Sequence, residues 1–191
     1  MAYGVEGGRQ VGSANVGGIT RASLWSGTSG SWVDLNPAGA TGSTSNDVDG
    51  GNQAGSANVG GFDRASLWSG TADSWVDLNP AGASRSYAYG VYGDIQAGEA
   101  YLNGAQHASF WSGTAASWAD LHAFLPATYT SSVARGVWRD PSGAIYVVGY
   151  GHNTSPNRDE ALMWVSPVPE PASMFVLGLG LVAVLRRRRA K

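Results

Sequence analysis

Three aspartates, Asp34, Asp77 and Asp120, recur at a step of 43 residues. Carboxylates related in that way can meet around a pseudo-symmetry axis and hold a cation. The local alternative is that an aspartate near a strand end accepts hydrogen bonds from turn amides, and this structural role is the expected one. The stretch Asn46 to Asn52 (NDVDGGN) crowds oxygen ligands as a calcium loop does, yet it lacks the third acidic ligand and the bidentate glutamate of an EF-hand. His107, His122 and His152 stand apart, with no paired metal-ligand spacing. The chain has no cysteine, which excludes disulfides, thiolate metal sites and cysteine nucleophiles. No Gly-x-Ser-x-Gly elbow occurs, and Gly178 to Ala183 mimics a dinucleotide fingerprint only inside an apolar run. The expectation is a protein without cofactor, metal or catalytic residues, hence not an enzyme.

The aspartates belong to a longer recurrence: Ala22 to Leu35 (ASLWSGTSGSWVDL), Ala65 to Leu78 (ASLWSGTADSWVDL) and Ala108 to Leu121 (ASFWSGTAASWADL). Its tryptophans form two series, Trp25, Trp68 and Trp111, and Trp32, Trp75 and Trp118. Upstream, Val5, Val48 and Val91 keep the same step, as do Gln10, Gln53 and Gln96, and Gly12, Gly55 and Gly98. Each unit reads as four short strands: a Gly-Val strand, a Gln-x-Gly strand, the Ser-Leu-Trp strand and a Ser-Trp-Val-Asp-Leu strand. Four antiparallel strands in about 43 residues is the size of a β-propeller blade. Gly136 to Trp138, Ile145 to Gly149 and Ala161 to Val165 continue the pattern in a divergent fourth unit, where Trp164 takes the place of Trp111. The added residues are assigned to loops, namely Asp140 to Gly143 and Gly151 to Asp159, and the fourth strand is missing because Ser166-Pro167-Val168-Pro169 intervenes. The fold class expected is all-β, propeller-like, with units at about 3–45, 46–88, 89–131 and 132–165. The recurring tryptophans are expected to pack between sheets, and a solvent-facing one would instead suit sugar stacking.

Charge divides the chain in two. Up to residue 171, seven arginines face fourteen acidic residues for a net charge of -7, whereas Arg186 to Lys191 carry +5. An acidic body argues against nucleic acid as a partner. Between the two lie the linker 166–171 and Ala172 to Leu185 (ASMFVLGLGLVAVL), without a charge. As a helix this run spans about 21 Å, short for a hydrocarbon core of about 30 Å. The cluster Arg186, Arg187, Arg188 and Arg189 favours a membrane anchor with a cytoplasmic end, because arginine stems snorkel and positive charge stays inside. One helix over about Ser173 to Arg187 is expected, and 172–191 form the anchor and its tail.

The sequence VPEPASMFVLGLGLVAVLRRRRAK closely resembles the PEP-CTERM sorting signal of Gram-negative bacteria, with Pro169, Glu170 and Pro171 as the motif. The resemblance implies processing by a membrane enzyme of the exosortase type, passage through the inner membrane, and delivery to the cell surface or beyond. It also implies an association with exopolysaccharide or biofilm matrix. The repeats look like HAF-type extracellular repeats, nearest at His107-Ala108-Ser109-Phe110-Trp111, while Arg21 and Arg64 replace that histidine in the first two units. Three functions follow in order of expectation: an exported structural or matrix protein, a carbohydrate-binding or adhesive module using Trp138, Tyr150 and His152 in loops of the fourth unit, and a hydrolase on a propeller scaffold. An exported protein needs a leader with a positive region and an apolar stretch, which Met1 to Asn15 lacks. The expectation is therefore a longer natural chain, with a signal peptide and a further Ser-Trp-Val-Asp-Leu strand upstream.

Overall fold

Tight glycine turns set the hairpins. Between the second and third strands of the first sheet, Gly17 and Gly18 both take positive φ (60° and 82°), the pair of conformations a two-residue hairpin requires and that side chains resist. In the third sheet Asn103 and Gly104 do the same (51° and 86°). The computed structural model describes residues 1–166, and these residues form four antiparallel sheets in chain order. The first holds β1 (Ala2–Glu6), β2 (Arg9–Val16), β3 (Ile19–Trp25) and β4 (Val33–Asp34). The second holds β5 (Gly42–Asp49), β6 (Asn52–Val59), β7 (Phe62–Trp68) and β8 (Val76–Asp77). The third holds β9 (Ser86–Tyr92), β10 (Ile95–Leu102), β11 (Ala105–Trp111) and β12 (Ala119–Asp120). The fourth has three strands, β13 (Tyr129–Arg139), β14 (Ile145–Asn153) and β15 (Arg158–Val165). Among the described residues no helix is long and apolar enough to cross a membrane. The helix expected at about Ser173 to Arg187 lies outside them.

Two local expectations need correction. The Ser-Trp-Val-Asp-Leu segment is a strand only over two residues, because a 3-10 turn (Ser29–Ser31, Ala72–Ser74, Ala115–Ser117) runs up to each tryptophan. Side chains impose that turn. Ser31 Oγ accepts the Ser26 N–H at 2.7 Å and donates to the Thr28 carbonyl at 2.7 Å. Gln10, Gln53 and Gln96 reach across from the neighbouring strand to accept the N–H of Gly27, Gly70 and Gly113 at 2.8–3.0 Å. The second correction concerns the fourth sheet, where Gly151 to Asp159 is mostly strand: β14 pairs with β15 as far as Asn153 and Arg158. The longer hairpin absorbs residues that the sequence placed in a loop. Val147 stands where the glutamines stand, and there is no Ser-Gly-Thr turn here for a glutamine to hold.

The sheets stack face to face, each first strand against the three leading strands of the sheet before it. Val11, Ala22, Leu24 and Leu35 of the first sheet bury against Val48, Ala57 and Trp68 of the second. Ala54, Ala65, Leu67 and Leu78 meet Ala88, Val91 and Trp111 at the next joint, and Ala97, Ala108 and Leu121 meet Ala134 and Val147 at the last. Strand packing inside each sheet is equally tight. A Cβ on Gly98 would collide with the Tyr87 carbonyl and the Ala88 Cα, and Gly12, Gly55 and Gly149 make the same approach to their own first strands.

Candidate functional site

The repeat pins most of its polar residues into structural bonds. Asp34, Asp77 and Asp120 each accept the backbone N–H two residues ahead, at 2.8–2.9 Å, and turn the other oxygen to Arg21, Arg64 or His107. Trp32, Trp75 and Trp118 donate their indole N–H to Ser23, Ser66 and Ser109 at 2.9–3.0 Å. Trp68 and Trp111 are fully buried, Trp164 donates to the Leu121 carbonyl at 3.0 Å, and Trp25 is half-exposed. In the calcium-like stretch, Asp47 accepts the N–H of Val91 at 3.0 Å and Asp49 that of Gly93 at 2.6 Å, so both carboxylates clamp the second sheet to the third. Burial raises the Asp47 carboxyl above its usual range, against the pull of the Val91 and Val48 amides. Among the described residues no cluster of three or more His, Asp or Glu is placed to hold a metal.

A serine, two histidines and an aspartate meet at the last joint. His122 Nδ1 lies 2.8 Å from Ser132 Oγ, and His107 Nδ1 lies 2.9 Å from Asp120 Oδ2, with the two rings 4.4 Å apart. The equivalents explain it. At the first two joints Asn36 and Asn79 bond Ser43 and Ser86, whose Oγ atoms accept the N–H of Ala22 and Ala65. Ser132 accepts the Ala108 N–H at 3.0 Å in the same way and is buried, so its oxygen is a joint fastener rather than a nucleophile.

The place where the repeats differ in chemistry lies on the first strand of each sheet. Each of β1, β5, β9 and β13 carries a bulged residue at the same place, Tyr3, Asn46, Tyr89 and Arg135, and β13 has a second at Thr130. Asn46 donates to the Ala88 carbonyl of the next sheet at 2.8 Å. Tyr89 donates to the buried Glu99 at 2.8 Å, and Gln106 donates to its other oxygen at 2.9 Å. The guanidinium of Arg135 sits 4.1 Å from the centre of the Tyr89 ring and donates to the Tyr150 hydroxyl at 3.3 Å. Burial, chiefly, lifts the Glu99 carboxyl, opposed by Tyr89, Arg135 and Gln106. Burial and then the Glu99 charge push the Tyr89 phenol upward. The result is a buried acid capped by a phenol, under an exposed arginine flanked by two aromatic rings, an arrangement that suits stacking and hydrogen bonding to a polar ligand. Sequence reasoning passes over these residues because it follows what recurs. The signal is the reverse: Tyr3, Asn46 and Tyr89 keep the 43-residue step while changing type, as do Ser13, Ser56 and Glu99.

Trp138, Tyr150 and His152, expected in loops, all lie on strands of the fourth sheet. Trp138 and Tyr150 face solvent, and Trp138 packs on Tyr146 with ring centres 5.5 Å apart. None of the three lines the apolar cleft of about 550 Å³ formed by Phe110, Leu121, Phe124, Val147 and Trp164. It lies beside the outer edge that a fourth strand occupies in the other sheets. Pro169, Glu170, Pro171 and Arg186 to Arg189 lie outside the described residues.

Residues 167–189 match the PEP-CTERM protein-sorting motif. No curated protein matches the chain.

Proposed function

We propose that the chain is an exported repeat protein of the cell envelope or extracellular matrix, delivered by an exosortase-type enzyme of the inner membrane. The match of residues 167–189 to the sorting motif carries this reading. The motif begins at residue 167, just after the last strand, β15, ends at Val165. The likeness of the repeats to HAF-type extracellular repeats supports the same destination. In this reading the four sheets are the blades of a propeller arc with no catalytic role, and surface polysaccharide is the surrounding material. Arg186 to Arg189 stay on the cytoplasmic side while the body is across the membrane. The test is to follow the tagged protein in cells with and without the exosortase. A shortened, surface-associated or released form is expected only where the enzyme is present; equal mass and location in both would overturn the proposal.

A second reading, carbohydrate binding, draws on the exposed Arg135 between Tyr89 and Tyr150. A guanidinium beside aromatic rings fits an acidic sugar better than a neutral one. The expected result is binding of uronate-containing glycans that Arg135→Ala reduces at least tenfold. Equal binding by the variant would remove Arg135 from the site.

A further inference from the structure

The two ends of the row of described sheets leave exposed the positions that the internal joints bury. On the outer face of the first sheet, Val5 is 72% exposed, although its equivalents Val48 and Val91 are 3% and 4% exposed inside the joints. Trp25, half-exposed, matches the fully buried Trp68 and Trp111. On the outer face of the fourth sheet, register places Val148 with Val11, Ala54 and Ala97, since each precedes the close-packed glycine of its strand. Those three are fully buried and Val148 is 48% exposed. Met163 precedes Trp164 as Leu24 and Leu67 precede Trp25 and Trp68, and it is 64% exposed against their 7% and 8%.

We propose that these faces bind each other between copies of the chain, head to tail, in the register of the internal joints. The molecule already makes this interface three times, and the free faces continue it. Val11 and Leu24 share one buried cluster with Val48 and Trp68 at the first joint, and Ala54 and Leu67 share one with Val91 and Trp111 at the second. Transferred to the free ends, that arrangement brings Val148 and Met163 of one copy, which pair across their strands, onto Val5 and Trp25 of the next, which flank Gln10. The four residues brought together are apolar, so their contact buries no unpaired charge, and the His152–Asp159 pair on the same face of the fourth sheet is already matched. The faces differ, so the contact is heterologous: it propagates until it closes a ring or extends as a filament. The proposal is independent of the route by which the protein reaches its destination.

The chain has no cysteine, which gives cross-linking a clean background. Full-length Val5→Cys and Val148→Cys, purified in mild non-ionic detergent and carrying distinct mass tags, are mixed and oxidised gently. The expected product is a mixed disulfide dimer at least tenfold above the dimer formed by either variant alone. Met163→Arg in the Val148→Cys partner should reduce it about tenfold. Met163 is 64% exposed in the single chain, so the arginine leaves the fold intact, and circular dichroism verifies this. Comparable dimer in all three samples would mean face-to-same-face or tail-driven association and would overturn the proposal. Absence of any dimer would overturn it equally.

Discussion

The joint between the second and third sheets and the outer face of the fourth sheet carry the same positions in opposite environments. Leu67 belongs to the buried cluster of the joint with Trp111 and is nearly inaccessible, while Met163, at the same place in its sheet, stands in solvent. The difference is not in the strands, which pair alike in both sheets. It teaches that the repeat encodes an interface: each sheet supplies one half and is stable only with a neighbour, as repeat architectures require. The ends pay for this with exposed apolar surface.

Truncating large side chains gives the widest separation between the two regions. Trp68→Ala should cost about 3–5 kcal/mol by cavity formation, and Trp25→Ala about 1 kcal/mol, read from urea midpoints of the two variants. Trp68 Nε1 is buried without a partner, so Trp68→Phe should cost clearly less than Trp68→Ala. Leu67→Ala follows at about 2–5 kcal/mol, whereas Met163→Ala should stay within about 0.5 kcal/mol when the chain is dilute. Equal losses at Leu67 and Met163 would dissolve the contrast, since they would mean that the outer face is already covered.

Glycine substitutions sharpen it further. In Gly98→Ala the new methyl meets the backbone of β9, which is held between two sheets and cannot withdraw. A loss of about 2–3 kcal/mol is expected. Gly12→Ala presses instead on Met1 and Ala2, at the start of an outer strand with one sheet behind it, and about 1 kcal/mol is expected there because β1 can shift. Thermal unfolding of the pair ranks them.

Much of this architecture was legible in the sequence, and for a physical reason. Tryptophan, glycine and glutamine recur at one step because each serves one place in the repeat: the joint between sheets, the adjacent carbonyl and, in the first three sheets, the Ser-Gly turn. Four sheets, the last with three strands, follow from those series and from the prolines after Ser166. The 3-10 turn before Trp32, Trp75 and Trp118 was not legible, because strand propensity favours Ser-Trp-Val while the turn depends on a serine hydroxyl bonding three residues back. The bulge residues were hidden more deeply. A bulge inserts a residue whose surroundings come from a different sheet, so Arg135 over Tyr89 is a tertiary fact with no local pattern.

The smallest effect expected is the most specific to one joint. At the first two joints asparagine bonds the buried serine, and at the third His122 does so beside His107 and Asp120. Burial, then the neighbouring His107 charge, lowers the His122 pKa, with Asp120 opposing. The native state therefore holds fewer protons at this site than the unfolded chain, whose histidine titrates near about 6.5. Stability contributed here is present above that value and is lost as the pH falls through it towards the lowered native value. A tenfold change in proton affinity is worth about 1.4 kcal/mol, and for this half-buried ring the loss should remain under about 1 kcal/mol. His122→Asn rebuilds the asparagine joint and should flatten the dependence of the urea midpoint on pH between about 7.5 and 5, leaving the value at the upper end nearly unchanged. If the variant keeps the full slope, the titration belongs to other groups and the third joint is no more acid-sensitive than the first two.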